Sequence, residues 1–245
     1  MHGDASDPSI PISTSPISGL CFLNVSEAIS TRRCCREFSS QIVSIDTIRA
    51  ILEIAKQAPS GGNLQPWHVH VLTGERMREF KALIAAKLTS QPNGEGSEYN
   101  VYPPNLTEPY RSRRFKCGED LYRTIGVPRD NRSARLAQFA KNFDFFGAPM
   151  ALFFSIDRDM GQDQWADVGM FMQNVMLLIQ ERGLRCCPQE AWAVWPKTVA
   201  EFLPLRPELM LFCGMAIGHG NEAAAINQLR TDRANLEEFV TFVGA

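Results

Sequence analysis

The chain has 245 residues, 44% of them hydrophobic, 21% charged and 9% aromatic, a mixture that excludes disorder and fibrous repeats and fits a soluble globular protein. Its 25 Lys plus Arg against 27 Asp plus Glu leave a formal net charge of -2, so bulk attraction to nucleic acid or an anionic membrane has no compositional support and any anion site must be local. A chain this long buries about 70% or more of its unfolded surface, needs no disulfide or metal staple, and is expected to form one domain.

Residues 1–24 carry Pro8, Pro11 and Pro16 among serines but no Lys or Arg, and are expected to form a flexible extension, not a signal or transit peptide. A single domain then spans 25–245. Asn24 followed by Glu27 has the form of a capping box, and Ser44 opens a second helix with Ile45, Ile48, Leu52 and Ala55 on one face. Pro59, Gly61 and Gly62 stop it. Residues 67–73 (WHVHVLT) alternate as a strand does and end at Gly74, and 75–88 have helical composition and period. From about 89 to 127 the chain is polar and rich in Pro, Gly, Tyr and Arg, which marks a functional lid or insert.

A helix is expected over 132–146, a buried strand over 150–156 (MALFFSI) and a helix over 165–182 that is apolar nearly all round. Burial on every side of that last helix implies a subunit interface. Residues 209–217 (LMLFCGMAI) form another buried strand, and the apolar tail 236–243 requires a docking surface. Because helices and strands intermix without strict βαβ alternation, the expected class is α+β. The longest apolar run, 168–179, is interrupted by Gln173 and Asn174 and falls short of the ~20 residues of a bilayer span, so no membrane helix is expected.

Seven cysteines include the adjacent pairs Cys34–Cys35 and Cys186–Cys187 but no Cys-x-x-Cys, which fits a reducing, cytoplasmic compartment better than a disulfide framework. The four histidines, His2, His68, His70 and His219, lack the spacing of a zinc site, so no metal is expected. No G-x-S-x-G elbow is present, and no side chain stands out as a nucleophile or general base.

Four constellations carry candidate chemistry. Residues 31–38 (TRRCCREF) place three arginines within five residues, either a solvated charged face at the end of the first helix or a clamp for phosphate oxygens, which guanidinium forks match. Residues 58–67 (APSGGNLQPW) join small residues to two amides ahead of an aromatic. Glycines let backbone N–H groups approach a flat ligand, and amides both donate and accept along a heteroaromatic edge, which favours ligand binding over a plain loop. Taken alone, residues 187–192 (CPQEAW) read as a turn with an exposed glutamate and 230–233 (RTDR) as a surface ion pair, and neither is specific by itself. A fifth pattern, Gly218-x-Gly220-x-x-Ala223 after a strand, has the outline of a dinucleotide fingerprint, but too few residues follow it for a mononucleotide half.

The motifs RRCCREF, APSGGNLQPW, PQEA and RTDR, in this order, resemble the FMN-dependent nitroreductase family over about 25–243. The resemblance implies an α+β fold with a central, mostly antiparallel sheet flanked by helices, an intertwined homodimer and one FMN at each of two interface sites. Carried over by motif, Arg32 and Arg233 would hold the FMN phosphate with Arg33 beside them, Arg230 being the alternative to Arg233. Cys34 would meet the ribityl chain through its backbone. Arg36 would lie at the pyrimidine edge, where a fixed cation balances the charge that reduction places on the ring. Pro59, Ser60, Gly61 and Asn63 would line the ring, supported by Gln65. Pro188, Gln189, Glu190 and Ala191 would run along the other face.

The same resemblance implies an NAD(P)H-dependent oxidoreductase that reduces nitroaromatics or quinones by ping-pong two-electron transfer through flavin N5. NADPH or NADH is the donor, a small aromatic compound is the acceptor, and no side chain serves as essential acid or base. The alternatives are other flavin chemistry on the same fold (enone reduction, dehalogenation, flavin fragmentation), a flavin-binding protein without turnover, or a dehydrogenase using Gly218 and Gly220. In the insert, Tyr110, Arg111, Arg113, Arg114 and Lys116 form either an attractor for an anionic substrate or a solvated basic loop.

Overall fold

The computed structural model describes residues 23–244, so most of the expected N-terminal extension lies outside the described residues. The chain enters helix α1 (Val25–Thr31) through a reciprocal cap: Asn24 Oδ1 accepts from the Glu27 N–H at 3.0 Å while the Asn24 N–H donates to the Glu27 carboxylate at 2.9 Å. Helix α2 (Ile45–Ala55) starts at Ser44, whose Oγ accepts from the Thr47 N–H at 3.1 Å. Its buried face is Ile48, Ile51 and Ala55, turned away from the expected Ile45, which is 44% exposed.

Strand β1 (His68–Thr73) and helix α3 (Gly74–Ser90) follow, then α4 (Tyr110–Thr124), α5 (Arg132–Ala140), strand β2 (Met150–Asp157) and helix α6 (Gln162–Glu181). Strand β3 (Arg185–Gln189), helix α7 (Pro196–Phe202) and strand β4 (Leu209–Gly218) complete the frame. The sheet has the order β1-β2-β4-β3, and every pairing is antiparallel. The architecture is α+β, as expected.

MALFFSI reads as an unbroken apolar run because β2 is central and both its faces are covered. Successive side chains alternate, so Phe153 enters a layer with Phe80, Phe145, Trp192 and Trp195, while Phe154 enters one with Ile51, Val168 and Phe171. Where β4 crosses beneath Trp192, Gly214 is obligatory: a Cβ there would collide with the indole ring.

Four expectations change. The helix expected over 132–146 ends at Ala140; Lys141–Gly147 is a 3-10 segment in which Phe145 and Phe146 adopt φ of 52° and 56°. Left-handed backbone at a bulky residue costs about 1–3 kcal/mol. Burial of both rings offsets it, with Phe145 stacked on Trp192 at a centroid distance of 4.5 Å. The polar stretch 89–127 contains helix α4, and its first part is anchored: Glu95 accepts from the Thr198 N–H at 3.0 Å and donates its own N–H to the Val194 carbonyl at 2.7 Å. Helix α6 is not covered on all sides within one chain, because Ala166, Gly169 and Met170 face outward. The apolar side chains of the tail find little cover on their own chain, Phe239, Phe242 and Val243 being 69%, 72% and 93% exposed.

Candidate functional site

The arginine motif is not a helix face. Helix α1 stops at Thr31, and Arg32 turns to extended backbone. From there the chain runs as a strap along β3 and the end of β4. Cys34 pairs with Cys186, the Cys35 N–H donates to the Cys186 carbonyl at 3.0 Å, and Phe38 pairs with Gly220. The pattern at Gly218 and Gly220 is therefore a sheet-edge contact. Among the described residues two short 3-10 turns, Ala225–Gln228 and Leu236–Glu238, follow it, which leaves no α-helix to complete a dinucleotide fold.

Asn227, 2% exposed, ties the strap to the end of the chain. Its Oδ1 accepts from the Arg36 N–H at 2.7 Å, and its Nδ2 donates to the Glu37 and Asn221 carbonyls, each at 2.8 Å. Two residues later the chain reaches Leu229, Arg230, Thr231 and Arg233. These face the strap across a cavity of about 540 Å³, into which Arg32, Arg33, Cys34 and Arg36 also project. Gln173 of α6 supplies a further wall.

Five arginines and no acidic residue line this cavity. Arg33 is committed elsewhere, because its guanidinium pairs with Glu222, which also holds Arg185 at 3.0 Å. Among the described residues, Arg32, Arg36, Arg230 and Arg233 have no carboxylate partner. The two late guanidiniums fold against nearby backbone: Arg233 Nη1 donates to the Asp232 carbonyl and the Thr231 hydroxyl at 2.8 Å, and Arg230 Nη1 to the Leu229 carbonyl at 3.1 Å. Their charges are thus held but not neutralised. Such a set fits a phosphate or another dianion and repels cations.

Cys34 adds a second charge-sensitive group. The Cys187 thiol beside it, reinforced by the Arg36 and Arg32 charges, outweighs burial and lowers the Cys34 thiol to about 5. Cys187 is pushed well above the usual thiol range by the same partner and by burial.

The small-residue loop stands elsewhere in the single chain. Gly61–Asn63 form one 3-10 turn with Gly62 and Asn63 at φ of 58° and 57°. Ser60 Oγ accepts from the Gln65 N–H at 3.0 Å, and Gln65 Nε2 donates to the Asn63 carbonyl at 3.2 Å. Pro59, Gly61 and Asn63 are exposed. The Gly61 N–H reaches Asp167 on α6, six residues before Gln173, which puts the two residues roughly 9 Å apart along the axis and about 120° apart around it. Within one chain, then, the loop does not line the arginine cavity.

Residues Pro188 and Gln189 end β3, and Glu190 and Ala191 open the next 3-10 segment. The Gln189 side chain is turned inward, with Nε2 donating to the Asn142 carbonyl at 2.8 Å and Oε1 accepting from Trp192 Nε1 at 3.4 Å. Only its backbone is left for a ligand. Glu190 is exposed, and partial desolvation raises its carboxyl.

Three residues escaped the sequence reading. Asp167 and Gln173 were visible as polar interruptions of an apolar helix, whereas Asn227 carried no signal because its partners lie some 190 positions away.

The nitroreductase family model matches residues 29–219. The chain is 36% identical over 216 residues to a 4-nitrobenzoate reductase of Pseudomonas putida, covering 88% of this chain and 94% of the relative. It is 35% identical over 219 residues to a chloronitrobenzene nitroreductase of Comamonas testosteroni, covering 89% and 96%. Among solved structures, the FMN and NADPH-dependent nitroreductase NfnB from sphigopyxis sp. strain HMH superposes with a TM-score of 0.88 at 45% identity, covering 91% of this chain and 100% of that one. The FMN-dependent nitroreductase NfnB from Mycobacterium smegmatis, in complex with NADPH, gives 0.84 at 27% identity, covering 89% and 97%. With its antiparallel sheet, its arginine strap and these matches, the chain belongs to the nitroreductase family.

Proposed function

We propose that this protein is an FMN-dependent NAD(P)H oxidoreductase that reduces nitroaromatic compounds. The observation that carries the reading is the cavity lined by five arginines and no acid, drawn from both ends of the chain. Arg32 and Arg233 would hold the FMN phosphate, with Arg230 beside them; Arg36 would face the ring, and Cys34 the ribityl chain. Bound there, FMN supplies the two-electron chemistry by accepting hydride from NAD(P)H and passing electrons to the acceptor. The chain's own residues bind, orient and tune it. NADPH as donor is supported by one structural relative that is FMN and NADPH-dependent and by another solved in complex with NADPH, and a nitroaromatic acceptor by the similarity to 4-nitrobenzoate and chloronitrobenzene reductases.

The site is completed by a second copy of the chain. The outward face of α6 and the uncovered tail are apolar surfaces that a homodimer would bury. The partner's Pro59, Ser60, Gly61 and Asn63 would then line the flavin together with the backbone of Pro188, Gln189, Glu190 and Ala191. Among the described residues no helix is long and apolar enough to cross a membrane. A cytoplasmic enzyme is the reading that the free cysteines favour.

The purified protein should be yellow, bleach anaerobically with NADPH and recover on adding a nitroaromatic. Replacing Arg32 by Ala should leave it largely flavin-free; an R32A protein that keeps its flavin but loses turnover would contradict the phosphate assignment.

A further inference from the structure

The segment that brings Arg230 and Arg233 to the cavity is loosely attached to its own chain. Among the described residues, the backbone hydrogen bonds within 229–244 are all local. Two ion pairs tie the segment to α4: Lys116 Nζ lies 2.5 Å from Asp232, and Arg113 Nη2 lies 2.8 Å from Glu238. Arg113 and Lys116 are three residues apart and so share a face of α4. A second cavity, of about 370 Å³, separates that face from the segment, with Thr231 and Arg233 in its wall. The same two residues also wall the arginine cavity, so one stretch of backbone is gripped from one side and presents guanidinium groups to the other.

We propose that Arg113 and Lys116 are positioning residues, which hold 230–238 in the pose that offers Arg230 and Arg233 to the cofactor phosphate. This rests on the reading of the cavity as the FMN phosphate site. The basic side chains of the insert are accordingly spent within the chain: Arg111 pairs with Glu108 at 2.7 Å, and Arg114 covers the Tyr102 ring at 3.9 Å. A free segment must lose conformational freedom when the ligand binds, and prior ordering removes part of that cost. Exposed ion pairs are individually weak, so the two together should change affinity by about 3- to 10-fold.

The test compares FMN with riboflavin, which lacks the phosphate, by quenching of flavin fluorescence on the full-length protein. In R113A/K116A, FMN should bind about 3- to 10-fold more weakly while riboflavin binding is unchanged. R113E should weaken FMN binding, and R113E/E238R should restore it, since the reversed pair can form again. Equal losses for FMN and riboflavin, an unaltered FMN constant, or failure of the reversed pair to restore binding would each overturn the positioning role. If the wild-type protein bound FMN no more tightly than riboflavin, the phosphate reading itself would fall instead.

Discussion

The Gly61 N–H donates to Asp167 at 3.2 Å, so a carboxylate only 5% exposed on helix α6 anchors the loop that carries Ser60 and Asn63. Asp167→Ala removes that acceptor, whereas Asp167→Asn keeps an oxygen in place. A hydrogen bond to a charged group is worth about 1.5–3 kcal/mol. The Ala variant should therefore bind FMN about tenfold or more weakly, and the Asn variant should lie between it and wild type. Fluorescence titration of both decides; wild-type affinity in the Ala variant would remove the loop from the site.

The arginines of the cavity should not be equivalent. Arg230 and Arg233 have no carboxylate partner among the described residues, whereas Arg33 is engaged by Glu222. Arg233→Ala should weaken FMN binding by about 10- to 100-fold, from the loss of a charge-assisted contact. Arg33→Ala should lower it much less and instead leave Glu222 paired with Arg185 alone, a change visible in thermal melts. Flavin content on purification gives the ranking directly, and R33A as the most flavin-depleted variant would refute it.

Cys34 provides a pH signature. With its thiol lowered to about 5, Cys34 should react as a thiolate at neutral pH in the flavin-free protein. Alkylation by iodoacetamide, followed by peptide mass, should be nearly flat above pH 6 and fall as the pH drops through about 5. The same cysteine in urea should react only as the pH rises toward the ordinary thiol range near 8.5. Added FMN should suppress the labelling, because it occupies the cavity and its phosphate opposes a neighbouring anion.

Glu95 couples the start of the insert to α7. Although burial works the other way, hydrogen bonds from Thr198 and Lys87 hold its carboxyl below the usual range. A depressed carboxyl contributes stability that is present above its unfolded value, near 4.3, and is lost as the pH falls through the folded one. Glu95→Gln should cost about 1–3 kcal/mol at pH 7, or roughly 2–12 °C in melting temperature. The difference from wild type should narrow as the pH falls below about 4.3, where the unfolded chain takes up the proton ahead of the folded one. Melts at pH 7 and pH 3.5 that show the same gap would contradict this account.

What the sequence disclosed followed the range of the interactions involved. The caps at Asn24 and Ser44 are contacts between neighbours three positions apart, and they read correctly. So did β2, because a strand buried on both faces needs an unbroken apolar run. The 33–38 strap did not, since its extended form depends on Cys186 and Gly220, far along the chain. Phe145 and Phe146 misled for a related reason: helical composition gave way to the burial of two adjacent rings. Of the four motifs, the arginine strap and the late RTDR meet at one cavity while the APSGGNLQPW loop stands apart within one chain, and the residues that hold strap and loop, Asn227 and Asp167, emerge only once the chain is folded.

The two arginine-bearing walls of the cavity lie almost a whole chain apart, one at 32–36 and the other at 230–233. During synthesis the sheet and most helices are complete before the second wall has been translated. On the proposed reading, the grip on the cofactor phosphate is therefore completed only when residues 230–233 have been made and have folded back onto the 32–36 strap.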